Sequence, residues 1–365
     1  MPKQLLFLLC ATALLFLAAG THAQETDAGI AEKNAKLDAL LNSLLPHNGP
    51  GAAVVVIQDG KKIFEKFYGF ADVADKIPIA AHTNFELASC SKQFTAMAVM
   101  ILAEEGKLKY SDHLSKFFPE FRAVGHEITI DELLHHTGGL QDYFDVFDKH
   151  GKGAITSHHV MEVLAKQPTL RFTPGEKYEY SNSGYMVLAQ IVEKASGKRY
   201  PEFLKEKIFE PLKMDDTLVY DETHPHIKHS ALCYKHSNDG FKKIEHDDWD
   251  CVYGDGSIHS TVDDLYKWDQ ALYTEKLVKA TTLEEAFTEG KLTSGKGTGY
   301  GFGWGIEHYQ AKKVVSHEGE WLGYENLIYR IPELHFSVLL LSNGSFAKQC
   351  DKCAAEIVKV YYPGR

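Results

Sequence analysis

Phe85-Glu86-Leu87-Ala88-Ser89-Cys90-Ser91-Lys92-Gln93-Phe94-Thr95-Ala96 is the stretch on which the reading of this chain turns. From Ser89 to Glu105 the apolar residues recur at helical spacing. Phe94, Met97, Ala98, Ile101 and Leu102 form one stripe, and Gly106 ends the pattern. The first turn holds an S-x-x-K tetrad, Ser89 and Lys92. Positions three apart on a helix share a face, so the Lys92 amine can reach the Ser89 hydroxyl. A serine hydroxyl is a weak nucleophile and needs a partner for its proton. Lys92 serves as that base only if its surroundings lower its pKa from about 10.4. A serine at a helix N-terminus also sets a free backbone N–H near a developing oxyanion. The bland alternative is a helix start with a capping serine and a solvated lysine. Ser345-Phe346-Ala347-Lys348 is a second copy of the same tetrad.

Two further motifs lie downstream. Tyr180-Ser181-Asn182 follows Thr173-Pro174-Gly175 and precedes an apolar helical pattern from Tyr185 to Ile191. A phenol relays protons where cations stabilise its phenolate, and an asparagine offers both a donor and an acceptor. His317-Glu318-Gly319 follows a strand pattern from Lys313 to Ser316. A glycine there lets a substrate lie against the strand edge, and the N–H of Glu320 can complete an oxyanion hole. Each triplet has decoys: Tyr324-Glu325-Asn326, His136-Thr137-Gly138 and His47-Asn48-Gly49. Order, spacing of about 90 and then about 135 residues, and context carry the weight.

Around these motifs the element pattern is coarse but readable. Residues from Ile30 to Leu45 are helical in spacing, and Ala52 to Ile57, Asp59-Gly60, then Ile63 to Tyr68 spell a hairpin. Lys313 to Ser316, Asn326 to Ile331 and Phe336 to Leu341 read as strands, and a helix from Phe346 to Val360 follows. Strands near both chain ends with helices between predict one sheet built from both ends and a helical insertion over roughly 90–290.

The chain resembles the penicillin-recognising serine hydrolases, in the branch of class C β-lactamases, D-alanyl-D-alanine carboxypeptidases and β-lactamase-like esterases. The likeness runs from about Gly51 to Leu341. Besides the three motifs it rests on Leu114 to Phe121, Ile128 to Leu140, Thr173-Pro174-Gly175, Gly254 to Trp268 and Tyr300-Gly301-Phe302-Gly303-Trp304. The resemblance implies a mixed α/β (α+β) fold, β-lactamase/transpeptidase-like, with an antiparallel sheet flanked by helices beside a mostly helical subdomain and the site between them. It implies Ser89 as acylated nucleophile, Lys92 and Tyr180 as proton-transfer pair, and Asn182 as ligand of a substrate amide. His317 takes the position of a lysine or histidine in the third motif, with Gly319 beside it. The N–H groups of Ser89 and Glu320 hold the oxyanion. Which of Lys92 and Tyr180 takes the first proton stays open at this stage.

The departures bear on substrate. His-Glu-Gly stands where a typical class C β-lactamase has Lys-Thr-Gly, and relatives that bind a substrate carboxylate often carry a hydroxyl at the middle position. Glu318 and Glu320 would repel such a carboxylate by a salt-dependent amount. The expectation is an ester or amide hydrolase of broad type first, then a D-Ala peptidase, then an efficient β-lactamase. A silent penicillin-binding-like sensor or scaffold is the alternative of another class, against which the intact Ser89, Lys92, Tyr180 and Asn182 set speaks. The chain has no G-x-S-x-G elbow for a Ser-His-Asp α/β hydrolase.

Composition agrees with a globular enzyme: 365 residues, 44% hydrophobic, net charge −11. That charge offers no basic excess for nucleic acid. Lys3, the apolar run Leu5 to Ala19 and the end Thr21-His22-Ala23 describe a signal peptide over 1–23, too short to span a membrane. The expected domain is then 24–365, exported to a periplasm or outside the cell, with no membrane span after cleavage. Its partners are a small-molecule or peptide substrate, peptidoglycan-derived peptides and β-lactams being candidates. Five cysteines remain, too few for a disulfide framework, with Cys233 and Cys251 a candidate loop staple and Cys350-Asp-Lys-Cys353 set in a helical pattern. His224-Pro225-His226-x-x-His229 lies in a proline loop rather than at helical i, i+4 spacing, so neither metal nor cofactor is expected.

Overall fold

The computed structural model of the protein describes residues 27–46, 48–147, 154–223, 225–237, 240–245, 247–344 and 350–363. The signal-peptide segment, the second S-x-x-K copy, His47, His224 and the side chains of Cys350 and Cys353 lie outside the described residues.

The β-branched run after Gly51 forms β1 (Ala52–Gln58), and the chain returns as β2 (Lys61–Tyr68). Asp59 and Gly60 join them, both at positive φ (49° and 75°), the left-handed geometry that matches strand twist in a two-residue hairpin. The other end of the chain supplies β3 (Gly305–Tyr309), β4 (Lys312–Trp321), β5 (Tyr324–Ile331) and β6 (Phe336–Ser342). The six make one antiparallel sheet in the order β3-β4-β5-β6-β1-β2, with Ala52 of β1 opposite Ser342 of β6.

The helices that frame the sheet and the site are α1 (Asp27–Leu44), α2 (Lys92–Glu104), α3 (Asn182–Ser196), α4 (Val262–Ala271) and α5 (Cys350–Tyr361). Strand side chains alternate between two cores, as the period of two requires. Ala52, Val54 and Val56, with Val338 and Leu340, pack against Leu37 and Leu41 of α1 and Ile357 and Val358 of α5. Ala53, Val55, Ile57, Leu339 and Leu341 face the larger core, which holds α2 and α3. Covering both faces explains why β1 and β6 read as unbroken apolar runs. This is the antiparallel sheet flanked by helices that the resemblance implies, built from both chain ends as the strand pattern predicts.

α2 is buried from Lys92 through Leu102, so it is the central helix of the helical side rather than a surface one. Gly106 ends it at φ 71°. α3 starts at Ser181, whose hydroxyl accepts the Gly184 N–H at 3.2 Å, and stops at Gly197 in the left-handed region. The larger core also encloses an ion pair, Arg330 of β5 with Asp269 of α4 at 2.7 Å, both fully buried.

Three expectations need correction. The helix containing the tetrad begins as a 3-10 turn, Ala88–Ser91, before α2 proper. β4 runs on to Trp321, so His317-Glu318-Gly319 lies within a strand rather than after one. The Cys233–Cys251 staple is absent: both thiols are free and buried, and Cys233 is engaged by the backbone amides of Gly323 and Tyr324.

Candidate active site

The nucleophile segment is shaped by its neighbours. Phe85 and Glu86 pair with Ser260 and His259 in a small sheet, and the Leu87 N–H continues that pairing onto Ile258 O at 2.7 Å. Ala88 then sits at φ 48°, a left-handed conformation that alanine adopts at a cost of about 1–2 kcal/mol. The kink turns the strand into the 3-10 turn that carries Ser89. Ser91 ties the turn down by accepting the Ile258 N–H at 3.2 Å.

Lys92 has no exposed surface. Its Nζ stands 2.9 Å from Ser89 Oγ, 2.9 Å from Asn182 Oδ1 and 2.9 Å from the Asp255 carbonyl oxygen. Burial lowers its pKa to about 8, against the opposing pull of Asp255 and Asp142. Two of the three neighbours are carbonyl oxygens, which only accept. A neutral amine donates its two protons to them, and its lone pair then faces the Ser89 hydroxyl.

Tyr180 hydrogen-bonds with Ser89, and burial of its hydroxyl raises its pKa well above 10, so it is a phenol at neutral pH. The side chain as a whole keeps 39% of its surface exposed. Lys92 Nζ lies 4.8 Å from the centre of its ring. Asn182 opens α3, and its N–H is held by Asp142 Oδ2 at 3.3 Å.

Pairing of β3 with β4 begins at Gly305 opposite Ser316, and the next residues of β4 pack on the nucleophile turn. A side chain at Gly319 would meet the Leu87 carbonyl oxygen at 2.1 Å. Glycine is therefore required for close approach of strand and turn, which corrects the expectation that it clears space for substrate. His317 is 8% exposed, with Nδ1 2.5 Å from Glu318 O and Nε2 2.8 Å from the Tyr300 hydroxyl. The first contact makes Nδ1 a donor, so Nε2 accepts. Burial and the nearby Lys92 push the ring's pKa down to about 3, and it is neutral. Glu320 is exposed and lines a pocket of about 60 Å³ beside Ser89. Ser89, Lys92, Tyr180 and Asn182 thus meet in direct contact, while His317, Gly319 and Glu320 approach from the strand.

Two residues enter that sequence reasoning did not place in the site. Asp255 supplies the carbonyl that orients Lys92, and its Oδ2 accepts the Tyr143 hydroxyl at 2.8 Å. Burial raises its pKa to about 6, with Lys92 opposing. The signal lay only in its membership of the block Gly254 to Trp268. His136, part of a decoy triplet, is the other. Its Nδ1 accepts the Ser181 N–H at 3.1 Å, and its ring lies 4.4 Å from Tyr180, 4.5 Å from Tyr300 and 5.0 Å from Tyr185. Burial and Lys92 keep it neutral. It acts as a positioning residue for Tyr180. His136→Phe should lower kcat about tenfold with KM nearly unchanged, the order expected for one lost hydrogen bond. His136→Asn, which keeps an acceptor and tolerates φ 58°, should recover part of that rate. Steady-state kinetics on an activated ester checks both.

Among the described residues no group of three His, Cys, Asp or Glu side chains could hold a metal ion, and no helix is long and apolar enough to cross a membrane. The Cys90 thiol, buried beneath the turn, contacts His317 O at 3.2 Å, and burial raises its pKa far above the usual thiol range.

Comparison with known proteins places this geometry in a wider group. The chain is 34% identical over 327 residues to penicillin-binding protein 4* of Bacillus subtilis (strain 168), covering 85% of this chain and 72% of that protein. It superposes on an octameric penicillin-binding protein homologue from Pyrococcus abyssi with a TM-score of 0.79 at 28% identity, over 90% of this chain and 77% of that one. A penicillin binding protein from Bacillus halodurans gives a TM-score of 0.75 at 25% identity, over 88% of this chain and 98% of that one. The Beta-lactamase family profile matches residues 37–360, and the chain belongs to that family of serine hydrolases.

Proposed function

We propose that the protein is an exported hydrolase that cleaves an ester or amide bond through an acyl-enzyme on Ser89. The observation that carries this reading is the buried Lys92 amine, lowered in pKa and 2.9 Å from Ser89 Oγ, from Asn182 Oδ1 and from the Asp255 carbonyl oxygen. Ser89 Oγ attacks the carbonyl carbon as its proton passes to Lys92. The leaving amine or alcohol takes the proton from Lys92, either directly or through the Tyr180 phenol, which Lys92 then reprotonates. Water then attacks the acyl ester as its proton passes to Lys92, and Lys92 hands that proton to Ser89 Oγ as the acid leaves, which restores the free serine. The backbone N–H groups of Ser89 and Glu320 hold the oxyanion. Since Tyr180 is held as a phenol, Lys92 is the group assigned to take the first proton. Export rests on the leader-like residues 1–23 and predicts a mature N-terminus at Gln24.

Turnover of an activated acyl ester by the native protein, and its loss in Ser89→Ala, tests the reading. A Ser89→Ala protein that keeps its full biological effect would instead support the silent scaffold.

The substrate is read as an ester, or an amide without a carboxylate beside the scissile bond. Glu318 and Glu320 are both exposed on β4, and neutral His317 brings no compensating charge. Two unit charges about 4 Å apart in water interact by about 1 kcal/mol, roughly fivefold in rate. Glu318→Thr should therefore raise kcat/KM for a penicillin or a D-Ala-D-Ala peptide about fivefold at low salt, with the gain shrinking at high salt. The penicillin-binding relatives favour that carboxylate-bearing class as the second reading. No gain in Glu318→Thr would count for it.

A further inference from the structure

The third-motif histidine uses both ring nitrogens inside the protein. Nδ1 donates to the Glu318 carbonyl oxygen, and Nε2 accepts the Tyr300 hydroxyl at 2.8 Å. Tyr300 lies in the loop ahead of β3, is buried, and has its backbone pinned. Its carbonyl accepts the Gly290 N–H and the Thr298 hydroxyl, both at 3.0 Å, and its N–H reaches that hydroxyl at 3.2 Å. The loop also presses on the start of α2, since a side chain at Gly303 would meet the Lys92 carbonyl oxygen at 2.8 Å. The Tyr300 ring stands 4.5 Å from His136 and, edge to face, 6.2 Å from Tyr180. One buried phenol thus braces Tyr180 and occupies the acceptor nitrogen of His317. A donor placed on the lone pair of a neutral imidazole favours the neutral ring, because a proton at that nitrogen removes the bond. Burial and Lys92 act in the same direction. The titratable groups that face the ring are Lys92, His136, Tyr180 and Tyr300, with the Cys90 thiol on its carbonyl. Glu318 and Glu320, beside it on β4, are exposed.

We propose that Tyr300 is a specificity-determining residue: its hydroxyl locks His317 as an Nδ1-protonated, neutral ring, so the third motif offers a substrate neither a positive charge nor a free N–H. Tyr300 acts through His317 and is a positioning residue. The proposal rests on the reading of Ser89 as nucleophile with β4 alongside the substrate. In His317-Glu318-Gly319 the histidine is the only side chain that can attract a carboxylate. With that side chain locked, the repulsion from Glu318 and Glu320 goes unopposed, and substrates neutral at this position are preferred.

The test has a titration arm and a rate arm. Tyr300→Phe keeps the ring that His136 and Tyr180 rest against and removes only the hydroxyl. In the first arm, NMR of the histidine ring nitrogens follows the substrate-free protein from pH 4 to 8, with the His317 signals assigned by their loss in His317→Gln. In the native protein His317 should show the Nδ1-protonated, neutral pattern across most of that range. In Tyr300→Phe its proton affinity should rise about tenfold, the worth of one hydrogen bond to the neutral form. In the second arm, 3-acetoxybenzoate and 3-acetoxybenzamide are compared, a pair that differs only in the carboxylate. Tyr300→Phe should raise the benzoate-to-benzamide ratio of kcat/KM about fivefold at pH 5.5, chiefly through KM, and leave it near the native ratio at pH 8.5. Adding His317→Gln to Tyr300→Phe should erase the gain. An unchanged His317 titration in Tyr300→Phe, a ratio that does not rise at pH 5.5, or a gain that survives His317→Gln overturns the proposal. A shifted titration with no turnover of either ester by native protein overturns the hydrolase reading instead and leaves the lock on His317 standing.

Discussion

Lys92→Met should lower kcat/KM for an activated acyl ester by about a thousandfold, within the range that a positioned general base supplies. The amine is 2.9 Å from Ser89 Oγ, and no other described nitrogen is hydrogen-bonded to that oxygen. Lys92→Arg should be as inactive, because a guanidinium stays protonated and cannot accept the serine proton. The pH profile gives the sign. A lysine whose pKa is lowered to about 8 is mostly protonated at pH 6, so the native rate should climb about tenfold per pH unit and level off above about 8. Asp255, with its pKa near 6, adds a smaller inflection there, since its ionisation favours the charged form of Lys92. A native rate flat from pH 6 to 9, or a Lys92→Met protein within tenfold of native, contradicts the assignment of Lys92.

Asp269→Ala should cost about 3–5 kcal/mol of unfolding free energy, the largest stability effect expected in the chain. Arg330 is fully buried in the larger core, and Asp269 Oδ1 accepts from its Nε at 2.7 Å and from Ser337 Oγ at 2.6 Å. The guanidinium lies 4.6 Å from the Tyr273 ring centre, so it has no route to solvent without repacking. Removing the carboxylate leaves an uncompensated charge. Replacing both partners by apolar residues, as in Asp269→Leu with Arg330→Met, should restore much of the loss, because the penalty lies in the unpaired charge rather than in the absent bond. Urea melts followed by circular dichroism separate the two outcomes.

The contrast between these residues shows what the sequence carries. Ser89, Lys92, Tyr180 and Asn182 could be named because the order, spacing and context of their motifs resemble a known family's, each motif alone having a decoy elsewhere in the chain. The β1–β2 hairpin was visible because Asp59-Gly60 can hold two positive φ angles between apolar runs. Asp255 and His136 were not, since their roles come from contacts at 163 and 45 residues' separation with a carbonyl oxygen and a ring nitrogen. β3 went unpredicted because it is a half-exposed edge strand whose burial does not alternate. The cysteine staple failed for a similar reason: spacing brings two thiols into adjacent loops, but only tertiary geometry decides whether they meet.

The central claim is acylation of Ser89, and intact mass spectrometry of acid-quenched protein reads it directly. Native protein mixed with an activated acyl ester should gain one acyl mass or release the alcohol continuously, and a penicillin should do so more slowly. Ser89→Ala should show neither adduct nor turnover. Equal turnover in Ser89→Ala, or an adduct mapped to another residue in the native protein, would contradict the account.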